Sequence, residues 1–179
     1  MAATVRIWDP FVRVFHWSLV ASFAVAWLTA EDLKALHIWA GYAAGGLIAL
    51  RLIWGVIGTR YARFSQFVRH PSTVAAYLRD IATGREARYL GHNPAGGLMI
   101  VALIVTLGTV CVTGWMQTTD AYWGVEWVEG VHEAVASLML GLVGVHVLGV
   151  FVASLRHREN LVRAMVTGRK RPPSIADIP

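Results

Sequence analysis

Residues 130–151 have the sequence GVHEAVASLMLGLVGVHVLGVF. Two histidines, His132 and His146, stand 14 residues apart in this run, which is otherwise composed mainly of Val, Leu, Ala, Met and Gly. A helix needs about 20 mostly apolar residues to cross a bilayer, and this run is long enough. An ionisable side chain within such a helix is costly and usually indicates a function.

The composition of the chain is typical of a membrane protein. Of the 179 residues, 56% are hydrophobic and only 15% are charged, whereas a soluble domain has about 25% charged residues. The one cysteine, Cys111, excludes an internal disulfide and a CxxCH site for covalent haem attachment. No nucleic-acid partner is expected, because the basic residues are distributed as in a membrane protein.

Four apolar runs predict an all-α membrane protein, with one domain over residues 1–179. The predicted transmembrane helices cover about 11–30, 36–58, 95–116 and 129–155. The end of the first run, AWLTA, weakly resembles a signal cleavage site, but we expect a retained first helix.

The basic residues predict the orientation of these helices. Of the 16 Lys and Arg residues, Lys34 falls in an outer segment and Arg51 lies inside the second span. The other basic residues, all on the opposite side, are Arg6, Arg13, Arg60, Arg63, Arg69, Arg79, Arg85, Arg88, Arg156, Arg158, Arg163, Arg169, Lys170 and Arg171. The positive-inside rule therefore places both termini and the loop 59–94 in the cytoplasm.

Two segments outside the spans have helical periodicity. They are PSTVAAYLRDIATG at 71–84 and ENLVRAMVTG at 159–168. We expect short amphipathic helices at the inner membrane surface. A solvated loop with chance periodicity is the alternative.

Four of the seven histidines lie in the apolar runs: His16, His37, His132 and His146. The predicted orientation sorts them into two layers. His37 and His132 fall near the outer face, and His16 and His146 fall near the inner face.

The interval of 14 residues fits two stacked sites. It separates His132 from His146 by about 21 Å and returns them to one helix face, within roughly 40° of whole turns. Two imidazoles from different helices in each layer suit haem with two histidine ligands, and so predict a four-helix bundle that encloses two haems. Imidazole also binds Zn or Cu, but a zinc site usually has three or four protein ligands.

Arg51 lies 14 residues beyond His37 and therefore on the same face of its helix, at the inner layer. Its guanidinium could bind a haem propionate; the alternative is a side chain that extends to the lipid headgroups. Glycines near the histidines leave room for a macrocycle or serve ordinary helix packing, and both readings stay open.

The stretches WDPFVRVFHW, LHIWAGY, RLIWGVIGTRYARF and GHNPAGG, with His132 and His146, resemble the bacterial cytochrome b561 and nickel-hydrogenase b-type cytochrome family. The resemblance covers nearly the whole chain. It implies a bacterial inner-membrane protein with two b-type haems, whose axial ligands are His16, His37, His132 and His146. It also suggests the quinone pool as one end of the electron path. His92, Arg60 and Arg63 are candidates for a quinone site at the inner surface.

Two histidines on each iron leave no open position for oxygen, which favours simple electron transfer. The predicted outer loops carry Glu31, Asp32, Asp120, Glu126 and Glu129 against Lys34. This acidic rim favours a cationic periplasmic partner such as a soluble cytochrome c, unless the acids merely border the aromatic belt. The alternatives are a superoxide oxidase that reduces quinone, a membrane subunit of a hydrogenase or other periplasmic dehydrogenase, and a metal or haem transporter.

Overall fold

The computed structural model describes residues 4–175, 177 and 178, and the chain is predominantly helical over this part. The elements follow in the order β1 (Val5–Arg6), α1 (Pro10–Leu28), α2 (Lys34–Ile57), a 3-10 turn (Arg60–Ala62), α3 (Phe64–Phe67), α4 (Pro71–Thr83), α5 (Pro94–Met116), α6 (Glu126–Arg156), α7 (Leu161–Thr167) and β2 (Arg169–Lys170).

The four long helices α1, α2, α5 and α6 are each long and apolar enough to cross a membrane. Each predicted run lies in one of them, with ends displaced by at most three residues. The largest displacement is at the start of α6, where Glu126 and Glu129 occupy the first turn. Acidic side chains there interact favourably with the positive end of the helix dipole, which explains the earlier start.

Large apolar side chains along these helices are exposed in the isolated chain. Leu155 is 77% exposed and Val105 is 62% exposed, for example. An apolar surface of this extent is unfavourable in water but is the surface that lipid chains require. The all-α fold of membrane-spanning helices is therefore confirmed.

The chain divides into two compact units. Unit I comprises Val14–Ile53 and Ala102–Val143. Its core consists of Ile48 from α2, Leu107 from α5 and Met139 from α6. This core joins three of the long helices.

Unit II comprises the described residues up to Arg13, then Trp54–Val101, and the described residues from Gly144 onward. Its buried core residues are Ile7, Trp8, Val12, Ala62, Leu90 and Ala164. The two short strands β1 and β2 pair antiparallel within it, with Val5 opposite Lys170 and Arg6 opposite Arg169. The N-terminal segment is thus tied to the segment that follows α7.

Both predicted short helices are present. Helix α4 has Pro71 in its first turn and ends at Gly84, which adopts the left-handed conformation with φ of 68°. Val74 and Tyr77 are buried on one face, as the periodicity predicts. Helix α7 begins after Asn160, whose side chain accepts a hydrogen bond from the backbone N–H of Arg163.

Two motifs noted in the sequence are helix starts. Asp9 accepts a hydrogen bond from the backbone N–H of Val12 at the start of α1, and also bonds Trp54 Nε1 and Thr59 Oγ1. In GHNP, the Asn93 side chain accepts a hydrogen bond from the backbone N–H of Gly96, and Pro94 is the first residue of α5.

A buried charge cluster in unit II joins the loop before α5 to the C-terminal segment. Arg88 Nη2 lies 2.8 Å from Glu159 Oε1, and Arg88 Nη1 lies 2.5 Å from Asp177 Oδ2. Burial alone would raise the pKa of Glu159, but hydrogen bonds from Arg88 and from the backbone N–H of Arg171 outweigh it and lower that pKa. Burial lowers the pKa of Lys170, 4.0 Å from Glu159, to about 8.

Candidate functional site

The four predicted histidines lie on three of the long helices. His16 is in α1, His37 in α2, and His132 and His146 in α6. All four side chains are half-buried. Arg51, also in α2, is only 3% exposed.

His37 and His132 come together within unit I. Their ring centroids are 6.1 Å apart, and the ring planes are inclined at 75°. The sequence assigns these two residues to one layer, and the structure brings their rings together. They approach from different helices, since α2 supplies one and α6 the other.

Backbone carbonyls select the tautomer of each ring. His37 Nδ1 lies 2.8 Å from the carbonyl oxygen of Ala26, and His132 Nδ1 lies 3.1 Å from that of Val110. A carbonyl oxygen can only accept, so each Nδ1 carries the proton and each neutral ring keeps its lone pair on Nε2. A histidine metal ligand typically has its second nitrogen hydrogen-bonded in this way.

The distance between the rings fits a shared metal ion. An imidazole nitrogen binds a metal at about 2 Å and the ring centroid lies about 1 Å behind it, so two opposed ligands have centroids about 6 Å apart. The observed 6.1 Å agrees with this value. Among the described residues, no group of three or more His, Cys, Asp or Glu side chains is arranged to hold a metal. A pair of histidines suits an iron that already has four macrocycle nitrogens.

Some glycines near the histidines leave room for a macrocycle, and others serve ordinary helix packing. A methyl group at Gly41, one turn after His37, would meet no atom within 4 Å. At Gly45 it would lie 3.6 Å from Cys111 Cβ, so Gly45 serves the packing of α2 on α5. Gly41 therefore leaves open space near His37.

His16 and His146 belong to different units, His16 to unit I and His146 to unit II. The ring of His16 meets Trp17 edge-on at 5.1 Å between centroids. Glycines flank His146 in α6, and methyl groups at Gly144 and Gly149 would meet no atom within 4 Å.

The structure adds residues that the sequence analysis did not identify. Thr113 Oγ1 lies 3.1 Å from His132 Nδ1. Gly114 is adjacent, and a methyl group there would lie 3.0 Å from His132 Cε1. Both residues could have been identified from the sequence. Thr113 is a polar residue next to a glycine, and the two lie in one span at the depth of His132 in another.

The acidic residues of the loops predicted to face outward are exposed. Glu31, Asp32, Asp120, Glu126 and Glu129 are all accessible. Lys34 lies over the Trp123 ring, 4.8 Å from its centroid. This is a cation–π contact. Because the five acids outnumber the one lysine, their surface, here called the acidic face, is negative.

The inner-surface quinone candidates have structural contacts. The ring of His92 packs against the rings of Trp8 and Phe67 at centroid distances of 4.5 and 4.8 Å. Arg63 Nε donates to the carbonyl of Gly58, and Arg60 lies over the ring of Tyr61. Packing and hydrogen bonding therefore give each of the three residues a structural role.

Comparison with known proteins identifies a family. The family model described as prokaryotic cytochrome b561 matches residues 7–168. The matched range includes all four histidines of the apolar spans and Arg51. No curated protein and no solved structure matches the chain.

Proposed function

The chain belongs to the prokaryotic cytochrome b561 family, and on that premise we propose that it is a di-haem cytochrome linking the quinone pool to a cationic periplasmic redox protein. Family membership makes it a membrane-bound b-type cytochrome of electron transfer. The observation that carries the proposal is the pair His37 and His132, with rings 6.1 Å apart and both Nδ1 protons directed to carbonyls.

We assign His37 and His132 as the ligands of the outer haem. Haem b bound there supplies a one-electron redox centre. With both imidazoles bound to one haem iron, no position would be left for oxygen, which would favour electron transfer over oxygen activation. The hydrogen bonds at Nδ1 place the lone pair of the neutral ring on Nε2 and hold each ring in one orientation.

We assign His16 and His146 as the ligands of the inner haem on sequence grounds. His146 follows His132 by 14 residues in α6, about 21 Å along the helix and on nearly the same face. Arg51 follows His37 by the same interval in α2, and we assign it to a propionate of the inner haem, because guanidinium matches carboxylate geometry. Its burial favours this role over extension to the headgroups.

We propose the bacterial inner membrane as the location, with both termini in the cytoplasm. The basis is the clustering of basic residues in the N-terminal segment, the loop 59–94 and the C-terminal segment. The quinone pool is proposed as one end of the path from the family alone.

The acidic face supports a cationic partner such as a soluble cytochrome c. Clustered carboxylates accelerate encounter with a basic protein and repel small anions. For this reason superoxide is not the favoured donor. A role as the membrane subunit of a hydrogenase or other dehydrogenase is distinguished by co-purification of that enzyme.

Histidine substitutions test the ligand assignment. We expect His132→Ala and His37→Ala each to lose the outer haem and retain the inner one. His146→Ala should lose the inner haem and retain the outer one. His70→Ala is the matched control, because His70 is exposed at the start of α4; it should retain both. Retention of both haems in His132→Ala would refute the assignment.

Electron transfer to a basic cytochrome c at increasing salt tests the partner. The rate should fall steeply with ionic strength in the wild type. Glu129→Gln should slow it at low salt, whereas Asp80→Asn in α4, the control with the same charge change, should not. Fast, salt-insensitive oxidation of superoxide would refute the cationic partner and support the alternative function, a superoxide oxidase.

A further inference from the structure

Thr113 is a buried polar residue in the apolar helix α5, with 6% of its surface exposed. Its hydroxyl lies 2.8 Å from the carbonyl oxygen of Thr109, one turn earlier in the same helix. The hydroxyl proton is donated to that carbonyl, so a lone pair of Oγ1 remains available as an acceptor.

That lone pair faces His132. Thr113 Oγ1 lies 3.1 Å from His132 Nδ1, the same distance as the carbonyl oxygen of Val110. Because Nδ1 carries the proton, one N–H is shared between two acceptors on the same turn of α5. The carbonyl belongs to the backbone, whereas the hydroxyl depends on the residue type at 113.

We infer that Thr113 is a positioning residue for His132: its hydroxyl holds the ring in the orientation that presents Nε2 to the outer haem and raises the basicity of that nitrogen. The inference rests on the proposed function, which makes His132 a haem ligand. Thr109, one turn earlier in α5, also donates its hydroxyl to a carbonyl of its own helix, that of Val105 at 3.0 Å, whereas the contact with His132 Nδ1 is made by Thr113.

The reduction potential of the outer haem is the property that should report this role. An acceptor at Nδ1 gives the imidazole more anionic character, and a more basic ligand stabilises ferric over ferrous iron. Removal of the hydroxyl should therefore raise the potential of one haem. A residue that merely filled space would leave both potentials unchanged.

The test is spectroelectrochemistry of the purified holoprotein and of three variants: Thr113→Val, Thr113→Ser and Thr109→Val. Valine matches threonine in shape, so haem content should remain that of the wild type. In Thr113→Val we expect the ratio of reduced to oxidised haem, at a fixed electrode potential, to rise about fivefold for one haem, the effect of losing a typical hydrogen bond. Thr113→Ser and Thr109→Val should match the wild type.

The outcomes separate this inference from the ligand assignment. Loss of one haem in Thr113→Val, with retention in Thr113→Ser and Thr109→Val, supports the same role. Unchanged potentials and haem content in Thr113→Val, or equal shifts in Thr113→Val and Thr109→Val, overturn it. If His132→Ala keeps both haems, the ligand assignment itself fails; if it loses one and Thr113→Val shows no change, only the role of Thr113 fails.

Discussion

The imidazole rings of His37 and His132 have centroids 6.1 Å apart, the separation expected for two ligands on opposite sides of one metal ion. Each ring directs its Nδ1 to a carbonyl oxygen of a helix that does not carry it, His37 to Ala26 in α1 and His132 to Val110 in α5. Rigid helices thus set the orientation of both rings.

Gly114 should be required for the orientation of His132. A methyl group at this position would lie 3.0 Å from His132 Cε1 and 3.4 Å from Nδ1, so the ring must move by a few tenths of an ångström. In Gly114→Ala we expect a changed low-spin EPR signal for one haem, or its loss. The measurement is haem content per chain together with the EPR spectrum.

Gly108→Ala is the matched control for this change. Gly108 lies in the same helix, and a methyl group there would meet no atom within 4 Å. The control should have the spectrum of the wild type. If Gly114→Ala and Gly108→Ala have identical spectra and haem content, the close approach of α5 to His132 has no role in haem binding.

Arg88 should contribute strongly to the stability of unit II. Its guanidinium is buried between the carboxylates of Glu159 and Asp177, and Arg88→Met leaves both without this partner. Breaking a buried ion pair from one side costs about 3–5 kcal/mol. We expect a correspondingly lower melting temperature in thermal unfolding of the detergent-solubilised protein.

Arg85→Met is the control for Arg88→Met. Arg85 is exposed and bonds Thr83 Oγ1, so its loss should change the free energy of unfolding by no more than about 0.5 kcal/mol. Equal melting temperatures for the two variants would show that the buried charge cluster does not hold the C-terminal segment in place.

Lys170 should make stability rise with pH between 8 and 9.5. Burial lowers the pKa of Lys170 from its usual 10.5 to about 8 in the folded protein, so over this range the unfolded chain binds more protons and stability increases with pH. The range stops below 10 because burial raises the pKa of Tyr77 from 10.0 to about 12. Above pH 10 the folded protein therefore retains the tyrosine proton, which reverses the sign.

The measurement is the melting temperature at several pH values in this range. Lys170→Met should lose the rise, and Lys34→Met, which removes the other lysine of the chain from an exposed position, should keep it. A wild-type melting temperature that is constant or falls from pH 8 to 9.5 would contradict the lowered pKa.

The long helices and the common depth of His37 and His132 could be predicted, because both depend on the composition of short segments of the sequence. Apolar length sets a membrane helix, and basic loops set its direction. The contact of Thr113 with His132 and that of Arg88 with Asp177 join residues 19 and 89 positions apart. Such contacts depend on how helices and loops pack, which periodicity and charge do not specify. The pairing of β1 with β2 was missed for the same reason, since strands of two residues have no detectable pattern.

We propose that one chain holds two haems, each between two histidines. The most direct test is the ratio of haem to protein in the purified membrane protein, measured with its reduced-minus-oxidised and EPR spectra. The account predicts two b-type haems per chain, both low-spin as six-coordinate iron with two imidazoles requires. One haem per chain, or none, or a high-spin signal from either haem, would contradict it.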